Sequence, residues 1–335
     1  MDSELNRKID LFVSNRQGAG ETFILEYGLN CLISSLILTG KDKIIDADKM
    51  KELKKLLNSK TSALSSFRVT TEVAVLSKLA VQNNPEGYLD DVLEVYKVVR
   101  GKRILEYYSY VFAAMTIVDL GRKNEAEAIV AKTEEILSRM KKIHPILTDE
   151  NDYAYVALLA MTNKSVDQII DEMEECFNYL KKDVKIKADS NPIQSLCELI
   201  VLSDGNLIEK CDRASELFNA FKDHGAKYGS YYEFASLGAL ITLDCDKDEL
   251  VDTIIEVADT LKQNKGFGSW TLDNKQRLMF AAMLVSQVMS DNDNVLYDYG
   301  VNSAVLNNTV AAIIAEEIAT MICVATIISY NNAAT

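Results

Sequence analysis

The chain has 335 residues, of which 48% are apolar and 26% are charged, and its 50 acidic and 36 basic residues give a net charge of −14. This acidic balance excludes nucleic acid as an expected partner, because a nucleic-acid-binding protein needs a basic face that displaces counterions from phosphates. Only 3 prolines and 14 glycines interrupt the chain, and such a composition favours helices.

The N-terminal residues and the cysteines indicate where the protein is located. The first ten residues, MDSELNRKID, contain no apolar core of the kind that a secretion signal requires. Six cysteines are scattered along the chain without a CxxC pair, at positions 31, 176, 197, 211, 245 and 323. That spacing is typical of reduced thiols that act as small apolar side chains. We therefore expect a cytoplasmic protein.

The first predicted hairpin joins one helix at 21–38 to a second at 47–59. The second helix contains the basic run KMKELKKLLNSK (49–60), in which Met50, Leu53, Leu56 and Leu57 share one face. Apolar residues at steps of three and four are typical of a surface helix that buries one stripe. We therefore expect an amphipathic surface helix here.

Two series of core positions repeat along the rest of the chain. The first series is spaced by 39 to 42 residues and comprises Leu79, Val118, Leu159, Leu199, Leu240 and Ala282. The second is spaced by 40 to 43 residues and comprises Tyr96, Ile136, Phe177, Phe218 and Leu261. Two series with the same period indicate tandem helical hairpins, each with a first and a second helix.

Each hairpin has an apolar stripe that it cannot bury alone, so neighbouring hairpins have to stack. The predicted fold class is therefore all-α, with tandem helical hairpins of about 40 residues that form an α-solenoid or a closed α/α ring. No linker rich in Pro, Gly or Ser divides residues 1–335, so we expect a single helical-repeat unit. The hairpins are predicted near 20–60, 68–102, 105–143, 148–185, 190–224, 230–265 and 271–330, with a flexible loop near 290–308.

The stretch HPILTDENDYAYVALLA (144–160) holds one of the two histidines, followed closely by Asp149, Glu150 and Asp152. We interpret it as a helix end at His144, an N-cap at Thr148 or Asp149, and an acidic first turn that the helix dipole favours. His224 ends a helix two repeats later, so the two histidines lie too far apart to share one metal ion. No metal site and no cofactor are expected.

Near the end of the chain, the segment TVAAIIAEEIATMICVATIISY (309–330) is long enough to suggest a membrane span. Glu316 and Glu317 lie in its middle, and a charge at the centre of a bilayer costs several kcal/mol. We therefore predict a buried terminal helix and no membrane span.

Tyrosines gather at the predicted starts of the first helices, in the groups 107–110, 153–155 and 231–232. If the hairpins stack in register, these starts share one edge, and tyrosine is common on binding surfaces. Ordinary packing between hairpins is the alternative. SYYE (230–233) also matches a capping box in which Glu233 reaches back to the Ser230 amide. The candidate ligand or partner surface comprises Tyr110, Asp152, Tyr153, Tyr231, Tyr232, Glu233 and Arg277.

The sequence contains no complete set of catalytic residues, and three functions remain open. The first is a scaffold that binds a protein or small-molecule partner, which the repeat favours. The second is an enzyme with a central cleft in a closed ring, for which we would test Asp152, Tyr153, Glu233 and Arg277. The third is a structural component of a larger assembly, suggested by the apolar last segment.

Two stretches are similar to a known bacterial family. The first is His144-Pro145-Ile146-Leu147-Thr148, followed by Asp152-Tyr153 and Leu158-Leu159-Ala160, and the second is Arg277-Leu278-Met279 with Ala281-Ala282-Met283-Leu284-Val285. In these stretches the chain resembles number four thousand and three in the catalogue of domains of unknown function, a family that prefers Phe where this chain has Ile146. The resemblance implies a mostly helical bacterial protein and carries over no catalytic residues.

Overall fold

The computed structural model describes residues 2–24, 28–69, 71–202, 205–269 and 271–292, together with the backbone at 296–297 and 301–302. Apart from one minimal β-hairpin, this part of the chain is all-helical, as the composition predicts. The predicted helix at 309–330 and most of the predicted loop at 290–308 lie outside the described residues. None of the described helices combines the length and the apolar content that a membrane crossing needs.

The α-helices are α1 (Ser3–Thr22), α2 (Gly28–Gly40), α3 (Ala47–Lys60), α4 (Ser66–Val69), α5 (Glu72–Ala80), α6 (Pro85–Arg100), α7 (Tyr108–Asp119), α8 (Ala126–Ile143), α9 (Tyr153–Ala160), α10 (Val166–Asn178), α11 (Ser190–Leu202), α12 (Leu207–Asp223), α13 (Lys247–Lys262) and α14 (Asn274–Asn292). The 3₁₀-helices are Lys123–Glu125, Glu150–Asp152 and Tyr232–Ala239, and a π-helical turn, Tyr179–Asp183, extends α10. Strands β1 (Leu296–Tyr297) and β2 (Val301–Asn302) pair antiparallel.

Helices that are buried on all sides alternate with helices that bury one face. Every residue of α9 is buried, whereas α10 buries mainly Ile169, Ile170, Met173 and Cys176. The basic helix α3 buries Met50, Leu53 and Leu57, as predicted, while Leu56 is half-buried. The buried helices pack on one another in chain order: α2 on α5, α7 on α9, α9 on α11, α11 on the Tyr232–Ala239 helix, and that helix on α14. The one-sided helices α3, α6, α8, α10, α12 and α13 cover them.

Helix α1 precedes the first predicted hairpin and was not expected. Two of its core positions are polar, Lys8 and Asn15, so the apolar stripe is interrupted in the sequence. The Lys8 ammonium donates to the Thr39 carbonyl at 3.1 Å, and the Asn15 amide bonds the backbone of Lys43 and Ile45 at 2.9 and 2.8 Å. These polar contacts replace apolar packing, which is why periodicity did not reveal the helix.

The same helix joins the two ends of the described chain. It packs against α2 on one side and against α13 and α14 on the other. The Phe12 ring lies 5.4 Å from the Phe267 ring and 6.0 Å from the Phe280 ring, measured between centroids. The first helix is therefore fixed to the last described one by aromatic contacts.

Local signals at helix ends are mostly confirmed. His144 and His224 are the C-cap residues of α8 and α12. Asp149 is an N-cap, as one of the two predicted candidates. The capping box at Ser230 and Glu233 is wrong: the 3₁₀-helix begins at Tyr232, and Tyr231 at its N-cap makes no side-chain cap bond. This segment turns more tightly than an α-helix and packs against α11 and α14, and the four-residue motif does not contain that information.

Candidate functional site

A cleft of about 380 Å³ opens where several buried helices begin. We call it the acidic cleft; it is lined by Tyr108, Leu147, Asp149, Asn151, Asp152, Asp189, Ser190, Asn191, Pro192, Ser195, Tyr231 and Ala235. Its walls come from the start of α7, the turn before α9, the first turn of α11 and the residues around the start of the Tyr232–Ala239 helix. Among the residues that the structure describes, three carboxyl groups line the cleft and no lysine or arginine does.

The turn before α9 forms one wall and is held by a reciprocal capping box. The Asp149 carboxylate accepts from the Asn151 amide at 2.7 Å, and the Asp152 carboxylate accepts from the Asp149 amide at 2.9 Å. Gln194 on α11 reaches the same Asp152 oxygen at 3.5 Å. The acidic segment after His144 is thus a cap, and the cap also forms a wall of the cleft.

Asp152 is only 6% exposed, although it lines the cleft. Burial raises the pKa of its carboxyl group to about 7, the hydrogen bond from the Asp149 amide acts against this, and the Asp149 charge adds to it. A carboxyl group with this pKa exists in both protonation states near neutral pH. It can therefore hold a cation at pH 8 and donate a proton at pH 6.

A second cleft, of about 260 Å³, lies on the other side of the same turn. We call it the tyrosine–arginine cleft; it is lined by Arg103, Tyr110, Glu134, Leu137, Ser138, Lys141, Thr148, Asp149, Glu150 and Tyr153. The Arg103 guanidinium stands 5.4 Å from the Tyr110 ring centroid and 5.9 Å from that of Tyr153, and it forms an ion pair with Glu134. The two phenol rings meet edge to face at 4.9 Å. Cation and rings thus stabilise one another.

The seven predicted site residues do not converge at one place. Asp152 and Tyr231 line the acidic cleft, and Tyr110 and Tyr153 line the tyrosine–arginine cleft. The side chain of Tyr232 lies outside the described residues. Glu233 and Arg277 line neither cleft. The predicted edge of helix starts does contain two clefts, and they share Asp149.

Glu233 and Arg277 are both buried, and Arg277 bonds to the nearby backbone. The Glu233 carboxylate is buried against Gly229, where any side chain would collide with it, and burial raises its pKa. Arg277 donates to the carbonyl groups of Phe267 and Leu272, so it fixes the segment that leads into α14. Burial lowers the pKa of its guanidinium. Neither group faces a described cavity.

Several cleft residues were missed in the sequence. Asp189, Asn191 and Ser195 lie around the start of α11, the equivalent position to the tyrosine groups, but no tyrosine marks it. Arg103 and Glu134 are ordinary surface residues by sequence, and only packing places them over Tyr110 and Tyr153. Position at a helix start was the one signal that could have pointed to the α11 residues.

Within the described ranges, no group of three or more His, Cys, Asp or Glu side chains is arranged to hold a metal ion. A family model described as a protein of unknown function, DUF4003, matches residues 25–319, which confirms the resemblance found in the sequence. No curated protein and no solved structure matches the chain.

Proposed function

The chain belongs to the DUF4003 family, whose function is unknown, and we propose that it is a ligand-binding protein whose acidic cleft takes a small organic amine. The observation that carries this proposal is the charge of the lining: the described residues of the cleft include Asp149, Asp152 and Asp189 and no basic side chain. Helix starts add only about half a positive charge each, which is less than the carboxylates supply. The potential in the cleft therefore favours a cation.

The aromatic walls support the same ligand. Tyr108 and Tyr231 line the cleft, and Tyr231 is 51% exposed. A phenol ring attracts a cationic group through its electron-rich face, and an exposed tyrosine gives apolar area together with a polar tip. Ser195 and Asn191 add hydrogen-bonding groups that suit an ammonium. A short diamine or polyamine has the size and the charge that this cleft fits.

Titration calorimetry with putrescine and 1,4-butanediol tests the proposal, because the diol has the same carbon chain without charge. We expect putrescine to bind saturably and the diol not to bind. Affinity should rise by about tenfold from pH 6 to pH 8 as Asp152 ionises. Asp189→Asn should weaken binding, whereas Asp167→Asn, an exposed carboxylate paired with Arg139 elsewhere, should not. Equal binding of diamine and diol would reject the proposal.

An enzyme with this cleft is the second candidate, and the raised pKa of Asp152 favours it. A carboxyl group that titrates near pH 7 can act as a general acid or base at neutral pH. Asp152 alone of the four residues proposed for catalysis lines the acidic cleft. A turnover screen on amine-bearing substrates would support catalysis if Asp152→Asn abolished the rate and left binding at pH 6 unchanged.

We also propose that the helical hairpins close into a ring within a bacterial cytosol. Closure is supported by the packing of α1 on both α2 and α14. The cytosol is supported by the thiols of Cys176 and Cys211, whose sulfurs lie 3.2 Å apart without forming a disulfide bond. Locating a tagged chain in fractionated bacterial cells tests the second point, and a periplasmic signal would contradict it.

A further inference from the structure

The tyrosine–arginine cleft holds a charge pair that a ligand can replace. The Arg103 guanidinium and the Glu134 carboxylate bind each other at the cleft, and both side chains are more than a third exposed. An ion pair so accessible to water stabilises the fold by at most about 1 kcal/mol. A ligand that offers each group a new partner therefore has little to overcome.

The Tyr110 hydroxyl shows which chemistry the ligand needs. Tyr110 is 0% exposed, and its hydroxyl has no hydrogen-bond partner among the described residues. Burial raises the pKa of this phenol to about 12, so it stays protonated and remains a donor. A buried donor without an acceptor is costly. An oxygen acceptor that enters between Arg103 and Tyr110 removes that cost.

The remaining charges of the cleft call for a cation as well. Arg103 and Lys141 give two positive charges, and Glu134, Asp149 and Glu150 give three negative charges. A purely anionic ligand would meet three carboxylates, and a purely cationic ligand would meet the guanidinium. A ligand with one carboxylate and one ammonium matches both halves.

We propose that the tyrosine–arginine cleft binds a free α-amino acid, with its carboxylate on Arg103 and the Tyr110 hydroxyl and its ammonium on Glu134. The amino acid takes over the two halves of the existing ion pair, so no charge is left without a partner when it binds. Lys141 and Glu150 also line the cleft and are exposed and half-buried, respectively. They contact the part of the ligand that differs between amino acids.

Titration calorimetry with each of the twenty protein amino acids, one at a time, tests this site. Propionate and ethylamine serve as probes that carry only the carboxylate or only the amine. We expect at least one amino acid to bind saturably, and more tightly than either probe by about tenfold or more, the effect of one charge-assisted hydrogen bond. Saturable binding of none of the twenty, or equal binding of the single-charge probes, would overturn the proposal.

Variants assign the binding to this cleft. Arg103→Gln, Glu134→Gln and Tyr110→Phe should each lower the affinity for the amino acid by about tenfold or more. Tyr110→Phe removes only an unpartnered hydroxyl, so folding is not at risk. Arg139→Gln is the matched control, because Arg139 forms a comparable ion pair with Asp167 away from both clefts, and it should leave affinity unchanged.

The outcome is independent of the amine site. If Asp189→Asn weakened the amino acid and Arg103→Gln did not, the ligand would lie in the acidic cleft and this proposal would be wrong. If putrescine failed to bind but an amino acid bound with the expected variant pattern, the tyrosine–arginine cleft would stand and the amine proposal alone would fall.

Discussion

At the scale of single residues, Asp152 combines a structural hydrogen bond with an unfavourable charge. Its carboxylate accepts from the Asp149 amide at 2.9 Å, yet burial raises its pKa from 3.8 to about 7. Between pH 3.8 and about pH 7, the folded protein therefore binds more protons than the unfolded chain. The contribution of Asp152 to stability therefore falls as the pH rises from about 4 to about 7, and it stays low above pH 7.

The change in the free energy of unfolding caused by Asp152→Asn should accordingly be more stabilising at pH 8 than at pH 4.5. Asparagine keeps an oxygen acceptor for the Asp149 amide and cannot ionise. Because one pKa unit corresponds to about 1.4 kcal/mol, the difference between the two pH values has an upper limit on the order of 4 kcal/mol. Urea unfolding at both pH values measures it. Asp167→Asn, at an exposed carboxylate, should show no such difference, and a pH-independent effect of Asp152→Asn would contradict the raised pKa.

Two buried tyrosines provide a matched pair for the effect of a hydroxyl group. The Tyr110 hydroxyl has no hydrogen-bond partner within the described part of the chain, whereas the Tyr228 hydroxyl lies 2.6 Å from the Ser236 hydroxyl. Tyr110→Phe should leave the free energy of unfolding unchanged or raise it by about 1 kcal/mol, because a desolvated donor is removed. Tyr228→Phe should lower it by about 1 kcal/mol. Denaturant unfolding of both variants compares them directly. Equal destabilisation would mean that Tyr110 does have a partner.

At the scale of elements, the caps were the most accurate local prediction. The surrounding residues predict a cap at Thr148 or Asp149, because a cap depends on neighbours within one turn, and the structure has Asp149 as the cap. The exception is the segment at 230–233, where the chain forms a 3₁₀-helix from Tyr232. Packing against α11 and α14 acts on this segment, and no four-residue motif contains that information.

Ser165 and Gln168 form a capping box at the start of α10, with bonds of 3.2 and 2.9 Å between side chains and amides. Ser165→Ala should lower the free energy of unfolding by about 1 kcal/mol and increase amide exchange in the first turn of α10. Ser59→Ala, near the exposed end of α3, should not lower the free energy of unfolding, because no N-cap is lost there and alanine is the better helix former. Unchanged exchange at 166–169 in Ser165→Ala would show that the cap is not needed there.

At the scale of the whole molecule, Phe12 connects the beginning of the described chain with its last helix. Its ring is fully buried between Phe267 and Phe280. Phe12→Ala should cost about 3–5 kcal/mol, as for other buried phenylalanines. Hydrogen exchange should become faster in both α1 and α14, because each loses the other as a packing partner.

The control for this change is Phe221→Ala, which removes an equally buried ring on α12 that packs against Tyr228. Phe221→Ala should lower the free energy of unfolding by a similar amount. It should not accelerate amide exchange in α14 more than in the rest of the protein. If Phe12→Ala accelerated exchange in α1 alone, the two ends would not support each other and a closed ring would be excluded.

The sequence by itself determined the helical class, the basic helix α3, most helix ends and the family. Each of these depends on residues within a few turns of one another, where spacing, caps and composition act directly. The apolar periodicity did not predict helix α1 because Lys8 and Asn15 occupy core positions, and their hydrogen-bond partners lie 24 to 31 residues away.

Only the tertiary structure decided where the clefts lie and what lines them. Asp152 meets Gln194 across 42 residues, and Arg103, in the turn between α6 and α7, reaches the Tyr153 ring at the start of α9. Burial of the Asp152 carboxyl group, and with it the raised pKa, is a property of the packed helices and is not encoded in the local spacing. Tyrosines at helix starts predict one shared edge, but packing separates Tyr231 from Tyr110 and places them in different clefts.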